Sequence, residues 1–244
     1  MIRLILSVLY ITLFLILTLP ILLILWIIGH FNPNLKSRWS LSMVQWAFRC
    51  CLFISGTKVT VLGKEKVPQD QAVLYVANHR SYFDIVICYT LVPSLTGFVS
   101  KIEMNSWPIL RIWMRNVHCL FLDRNDIKQG LKTILTGIEK VKSGISIFIF
   151  PEGTRNKVND TFLSFKGGSF KIAEKSGCYI VPIAINNSAD VFEDHIPKVK
   201  KTHVVIEFGD PIDTANLSKE DKKRIAEITR DQIITIYEKN KEIV

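Results

Sequence analysis

Apolar and polar positions divide this chain into distinct regimes. From Leu4 to Ile28 there is no charged residue. As one helix that run would be about 37 Å long, enough to cross a bilayer core of about 30 Å. Pro20 interrupts it, and a proline inside a helix removes a hydrogen bond and kinks the chain. The segment is therefore expected to span with a kink, or to enter one leaflet and bend. A cleaved signal peptide would carry an apolar region of about 7–15 residues and then small residues. Here the run is longer and ends Trp26-Ile27-Ile28-Gly29-His30-Phe31, which reads as a retained anchor. A second apolar stretch runs from Trp39 to Ile54, with Trp39, Met43, Trp46, Ala47 and Cys50 at helical spacing. Its tryptophans and basic neighbours suit the headgroup layer, and an amphipathic helix packed on the body is the alternative.

Beyond it, short apolar runs alternate with helical stripes. Strands are expected at Thr57 to Leu62, Ala72 to Ala77, Gly97 to Ser100, Cys119 to Leu122, Ile145 to Phe150, Tyr179 to Ile185 and His203 to Phe208. Ile145 to Phe150 is almost continuously apolar and should be central, covered on both faces. The clearest helical stripe follows a cap at Asp126: Ile127, Leu131, Ile134, Leu135, Ile138 and Val141. A last helix from about Ser218 carries Ile225, Ile228, Ile233 and Ile236. The alternation predicts an α/β fold, a mostly parallel sheet flanked by helices. Residues 1–56 read as membrane-anchoring helices and 57–244 as the α/β domain.

Charge narrows the partner. Lys plus Arg is 31 against 22 for Asp plus Glu, a formal net charge of +9, which suits an anionic partner. The apolar N-terminus selects a membrane surface or a phosphorylated lipid over nucleic acid. Arg3 stands before the anchor and Lys36, Arg38 and Arg49 after it, so positive-inside bias puts the body in the cytoplasm. The five cysteines show no C-x-x-C spacing; buried thiols are expected, with neither disulfides nor a zinc site.

The stretch that carries chemistry is Ala77-Asn78-His79-Arg80-Ser81-Tyr82-Phe83-Asp84, where a strand hands over to a helix. Ligands bind at that edge of α/β sheets. A neutral His79 could take a proton from an alcohol, with Asp84 on its other nitrogen. On a regular helix the two would lie about 140° apart, so they meet only if the chain turns at Arg80 to Tyr82. Capping of the helix by these residues is the alternative. Arg124, Arg155 and Lys166 fall at or beyond strand ends that should share an edge with His79, and guanidinium forks suit phosphate oxygens. Gly153 sits where backbone could approach a ligand. There is no G-x-x-x-x-G-K, G-x-G-x-x-G or G-x-S-x-G and no zincin histidine pair, so nucleotide, dinucleotide, serine-hydrolase and zinc-protease sites lack support.

With these residues in view the chain resembles the glycerolipid acyltransferases of the 1-acylglycerol-3-phosphate (PlsC) type. Four blocks occur in family order: Asn78-His79 through Asp84, Phe121-Leu122-Asp123-Arg124, Pro151 to Arg155, and Val181 to Ile185. The N-terminal apolar pair looks like the two-helix motif of bacterial members, which implies a cell-membrane location. The resemblance implies that His79 is general base on a glycerol hydroxyl, that Asp84 orients it, and that the oxygen attacks an acyl thioester directly. It implies that Arg124, Arg155 and Lys166 hold the acceptor phosphate. Asn78, Glu152, Gly153 and Thr154 would shape the acceptor site, and Val181 and Pro182 would line its floor or acyl side. The implied partners are lysophosphatidate in the membrane and acyl-CoA or acyl-carrier protein as co-substrate, with no metal or organic cofactor. Acylation of another lysophospholipid or of glycerol-3-phosphate, hydrolysis by a membrane-bound esterase, and non-catalytic membrane binding are the alternatives. Arginine in the third block favours the lysophosphatidate group. One departure stands out: many members have glycine where this chain has His118, so acyl-chain preference is not carried over.

Overall fold

The computed structural model describes residues 1–244. Three helices lead: α1 (Ile2–Leu17), α2 (Leu19–Phe31) and α3 (Pro33–Ser55). The apolar run is broken where the proline predicts. Pro20 has no N–H, and in a continuous helix its ring would meet the carbonyl of Ile16. The chain bends by 48° between α1 and α2, and the Thr18 hydroxyl donates to the Phe14 carbonyl at 2.6 Å. No single helix is long and apolar enough to cross a membrane; the bent pair together is. Most of its large apolar side chains are exposed.

α3 packs on the body. Leu41, Val44 and Leu52 share one core with Tyr75 and Phe148 of the sheet. Its opposite face shows Trp39, Trp46 and Phe53, all more than half exposed, on a stripe with Arg38 and Arg49. Gln45 crosses to the next helix, α4 (Tyr82–Leu91), and donates to the carbonyls of Tyr89 and Val92. It thereby satisfies end groups that a helix leaves open.

The strands are β1 (Lys58–Leu62), β2 (Leu74–Ala77), β3 (Thr96–Lys101), β4 (Leu120–Leu122), β5 (Ser146–Ile149), β6 (Ile180–Asn186) and β7 (His203–Phe208). They form one sheet in the order β1-β7-β6-β2-β5-β3-β4. β6, β2, β5, β3 and β4 run parallel. β7 is antiparallel to β6, and β1 follows β7. The sheet is therefore mixed, with its reversed pair at one side. β5 is buried throughout and lies between β2 and β3, as its continuous apolar run predicts. Four further helices complete the layers, α5 (Pro108–Asn116), α6 (Ile127–Lys142), α7 (Lys171–Ser176) and α8 (Lys219–Asn240), together with short 3-10 turns such as Glu193–His195. α1 to α4 cover one face of the sheet; α7, α8 and part of α6 cover the other.

α6 departs from expectation. Of the six apolar positions read as its core stripe, Ile127, Leu131 and Leu135 face outward and are 88%, 60% and 52% exposed. The face turned inward carries Thr133, Gly137 and Val141. A Cβ on Gly137 would come within 2.8 Å of Ile172 of α7 and 3.4 Å of Leu120 of β4, so the helix sits against α7 and the edge strand by its small residues.

All five cysteines are free, and Cys51, Cys88, Cys119 and Cys178 are buried.

Candidate active site

β2 is buried at every position and delivers Asn78 to Ser81 to the edge where β2, β5, β3 and β4 all end. Ser81 is extended and caps α4, accepting from the Phe83 N–H at 3.0 Å. Asp84 stands in the first turn, fully buried. One of its oxygens accepts three hydrogen bonds: from His79 Nδ1 at 2.7 Å and from the N–H groups of Arg80 and Ser81 at 2.8 Å each. Its other oxygen has no partner. Asp84 thus belongs both to a capping box and to a histidine pair, so the two readings of the sequence describe one carboxylate. The turn at Arg80 to Tyr82 brings the two side chains together. With Asp84 on Nδ1, the ring proton is fixed there and Nε2 keeps its lone pair. The His79 side chain is 14% exposed and its ring stacks on Phe150, centroids 4.1 Å apart.

The loop after β5 is stitched onto this turn. Glu152 is buried and accepts from the His79 N–H at 2.9 Å and the Leu163 N–H at 3.2 Å. Burial raises its carboxyl above the usual range, and those two contacts work against the rise. The Asn156 N–H donates to the His79 carbonyl at 2.7 Å, and the Arg80 guanidinium reaches the Val158 carbonyl and Asn159. Gly153 adopts φ +75, a left-handed turn, and a Cβ there would lie 3.1 Å from Lys166 Nζ. Lys166 therefore lies along the backbone of this loop, and Thr154 is exposed beside it.

Arg155 comes next. Its guanidinium carbon lies 3.6 Å from the centroid of the Tyr82 ring, and Nη1 donates to Glu193 at 2.9 Å. Arg124 is on the same edge but apart. β5 and β3 separate its strand from β2, which places it about 14 Å to the side at the usual strand spacing. It is exposed and makes no hydrogen bond or ion pair. So the structure gathers His79, Asp84, Glu152, Gly153, Arg155 and Lys166, and leaves Arg124 at the margin.

Three of the residues singled out sit inside the fold instead of lining its edge. Asn78 is 2% exposed, and its amide both donates to and accepts from the backbone of Ile185. It ties the histidine turn to β6. Val181 and Pro182 lie within β6 opposite Tyr75 and Val76, and both are buried. The ladder to β7 starts at Ile183, so the N–H that Pro182 lacks is not needed there.

His118, at the amino end of β4, has φ +63. That left-handed backbone gives a physical reason for glycine to stand at this position elsewhere. Its side chain does not enter the histidine cluster: Nε2 meets Ser37 of α3 at 2.9 Å and Nδ1 meets Lys140 of α6 at 3.2 Å. Burial, then Lys140 and Lys36, push its pKa down to about 4 from 6.5. A folded-state pKa below the unfolded one means that the unfolded chain takes the proton first, so stability falls as pH drops from about 6.5 toward 4. Allowing for partial solvent screening, that is about 2–3 kcal/mol. In His118→Gly, where the backbone needs no strain, thermal melts between pH 7 and 4 are expected to lose that part of the acid sensitivity. Equal slopes in both proteins would refute the assignment.

A mostly buried imidazole, backed by a buried carboxylate and with cations on the neighbouring loop, makes this an α/β protein equipped to deprotonate a hydroxyl beside an anion. Comparison with known proteins narrows this. The acyltransferase family profile matches residues 58–186. A 1-acyl-sn-glycerol-3-phosphate acyltransferase of Borreliella burgdorferi is 31% identical over 198 residues, 81% of this chain and 78% of that one. A probable 1-acyl-sn-glycerol-3-phosphate acyltransferase of Mycoplasma pneumoniae is 30% identical, covering 76% and 73%. The crystal structure of the 1-acyl-sn-glycerophosphate acyltransferase PlsC from Thermotoga maritima shares the fold, with a TM-score of 0.79 at 22% identity over 98% of this chain and 97% of that one. The chain belongs to the acyltransferase family and is an acyltransferase enzyme.

The residues that pattern reading missed are Asn156, Arg80 and Glu193. Asn156 directly follows the third block and Arg80 lies inside the first. Glu193 stands 112 residues from Ser81, with no local signal.

Proposed function

We propose that the chain transfers a fatty acyl group from acyl-CoA or acyl-carrier protein to the sn-2 hydroxyl of 1-acyl-sn-glycerol-3-phosphate, giving phosphatidic acid. The observation that carries this reading is the His79–Asp84 pair, 2.7 Å apart, with Nε2 left without a partner. The names of the relatives support the acceptor. His79 Nε2 takes the hydroxyl proton as the oxygen attacks the thioester carbonyl. The tetrahedral intermediate collapses, the C–S bond breaks, and the thiolate leaves with the proton returned through His79. Asp84 stabilises the imidazolium in between. Arg155 and Lys166 hold the acceptor phosphate, with Arg124 further along the same edge. The acyl thioester is the co-substrate, and the chemistry calls on no metal or organic cofactor.

Location follows from the same chemistry. The acceptor is an anionic lipid, and a basic body with an apolar lead suits the headgroup layer. α1 and α2 attach the enzyme to the membrane with the site on the cytoplasmic side. Purified full chain should convert lysophosphatidate to phosphatidate with one of the two thioesters, and His79→Ala should not. No phosphatidate from the native chain with either donor would overturn the acceptor assignment.

A further inference from the structure

We propose that Glu193 is a positioning residue for the acceptor site, holding Arg155 so that one edge of its guanidinium stays open for phosphate. This rests on the reading of Arg155 as a phosphate contact. Glu193 belongs to the 3-10 turn Glu193–His195, beyond β6. Its carboxylate is 14% exposed and every contact joins it to the site. Oε2 accepts from the Ser81 hydroxyl at 2.6 Å. Oε1 accepts from the Tyr82 N–H at 2.8 Å and from Arg155 Nη1 at 2.9 Å. One side chain therefore clamps together the first turn of the helix that carries Asp84 and the loop that carries Arg155.

The geometry of the guanidinium gives the clamp a purpose. Glu193 takes Nη1, and the Tyr82 ring supports the flat face, 3.6 Å from the central carbon. Those two contacts fix where the group lies and which way its plane is turned. Nε and Nη2 make no hydrogen bond. Their N–H bonds lie along the edge opposite Nη1 and point the same way, as two parallel donors matched to two oxygens of one phosphate. A long flexible arginine normally loses its rotamer freedom when it binds, and that loss weakens affinity. Here it is lost before the acceptor arrives. The negative charge of Glu193 is shared with the Ser81 hydroxyl and the N-terminus of α4 as well as Arg155.

The test is steady-state kinetics of the full chain in detergent or lipid, varying lysophosphatidate and the acyl thioester separately. Glu193→Ala is expected to raise the acceptor KM about tenfold, with the donor KM unchanged and kcat within about threefold. Glu193→Gln, which keeps an oxygen for Tyr82 and Arg155, should restore most of the acceptor KM. In an Arg155→Ala background, Glu193→Ala should change the acceptor KM no further. If Glu193→Ala does not fold, Tyr82→Leu serves, because it keeps the Tyr82 N–H and removes only the ring. Its acceptor KM should rise severalfold, and no rise would overturn the proposal. An acceptor KM that is unchanged or lower in Glu193→Ala would also overturn it, a lower value meaning that the carboxylate competes with phosphate. The same holds for an equal effect with and without Arg155. In these cases Arg155→Ala would still raise the acceptor KM and the phosphate reading would stand. If Arg155→Ala leaves the acceptor KM alone, that reading falls and this proposal with it.

Discussion

His79→Ala is expected to lower kcat for acyl transfer about 10²–10⁴-fold, the usual worth of a placed general base, while the fold survives. The imidazole contributes little to the core: its one side-chain hydrogen bond is to Asp84 and its ring lies against Phe150. The contacts that hold the turn use His79 backbone atoms, which alanine retains. The sharper variant is Asp84→Asn. An asparagine oxygen in place of Oδ2 can still accept from Nδ1 and from the Arg80 and Ser81 N–H groups, and its amide would occupy the place of an oxygen that has no partner. Geometry is kept and the charge is lost. Stabilisation of the imidazolium then disappears, and kcat should fall about 10²-fold or more with both KM values near native. A native kcat in Asp84→Asn would show that Asp84 serves only as a helix cap.

Much of this site was legible because its parts are local. His79 and Asp84 lie five positions apart across one strand-to-helix junction, and apolar runs mark the junction on both sides. The third block keeps Glu152, Gly153 and Arg155 together in the loop after the most continuously apolar strand. What was not legible depends on distance or on the nature of the neighbour. Asn78 looks like part of the site because it precedes His79; only the fold shows its amide spent on Ile185. Glu193 lies in a short turn with no periodicity. The outward stripe of α6 has a different cause. An apolar pattern says that a face avoids water, not which neighbour it meets, and Gly137 and Thr133 seat the helix on α7 and β4 more closely than leucine would. The reversed pair β7 and β1 is likewise absent from the pattern, since alternation of elements does not encode strand order.

Arg155→Ala is expected to raise the acceptor KM about 10²-fold, the loss of roughly 3 kcal/mol from a truncated charge-assisted contact, while the donor KM changes little. The argument rests on position. Arg155 leaves the end of β5, the strand beside β2, and its guanidinium lies on Tyr82, two residues before Asp84. Arg124 shares the sheet edge but stands three strands from β2 with no partner of its own. If phosphate is gripped beside the base, Arg155→Ala must cost more acceptor affinity than Arg124→Ala. Lysine at 155 should fall between, since it keeps the charge and loses the planar fork. In Arg155→Ala the carboxylate of Glu193 keeps its contacts to Ser81 and the Tyr82 N–H, so a large KM effect cannot be assigned to collapse of the α4 cap. Equal rises in acceptor and donor KM would remove Arg155 from the phosphate site, and a larger effect from Arg124→Ala would move that site toward β4.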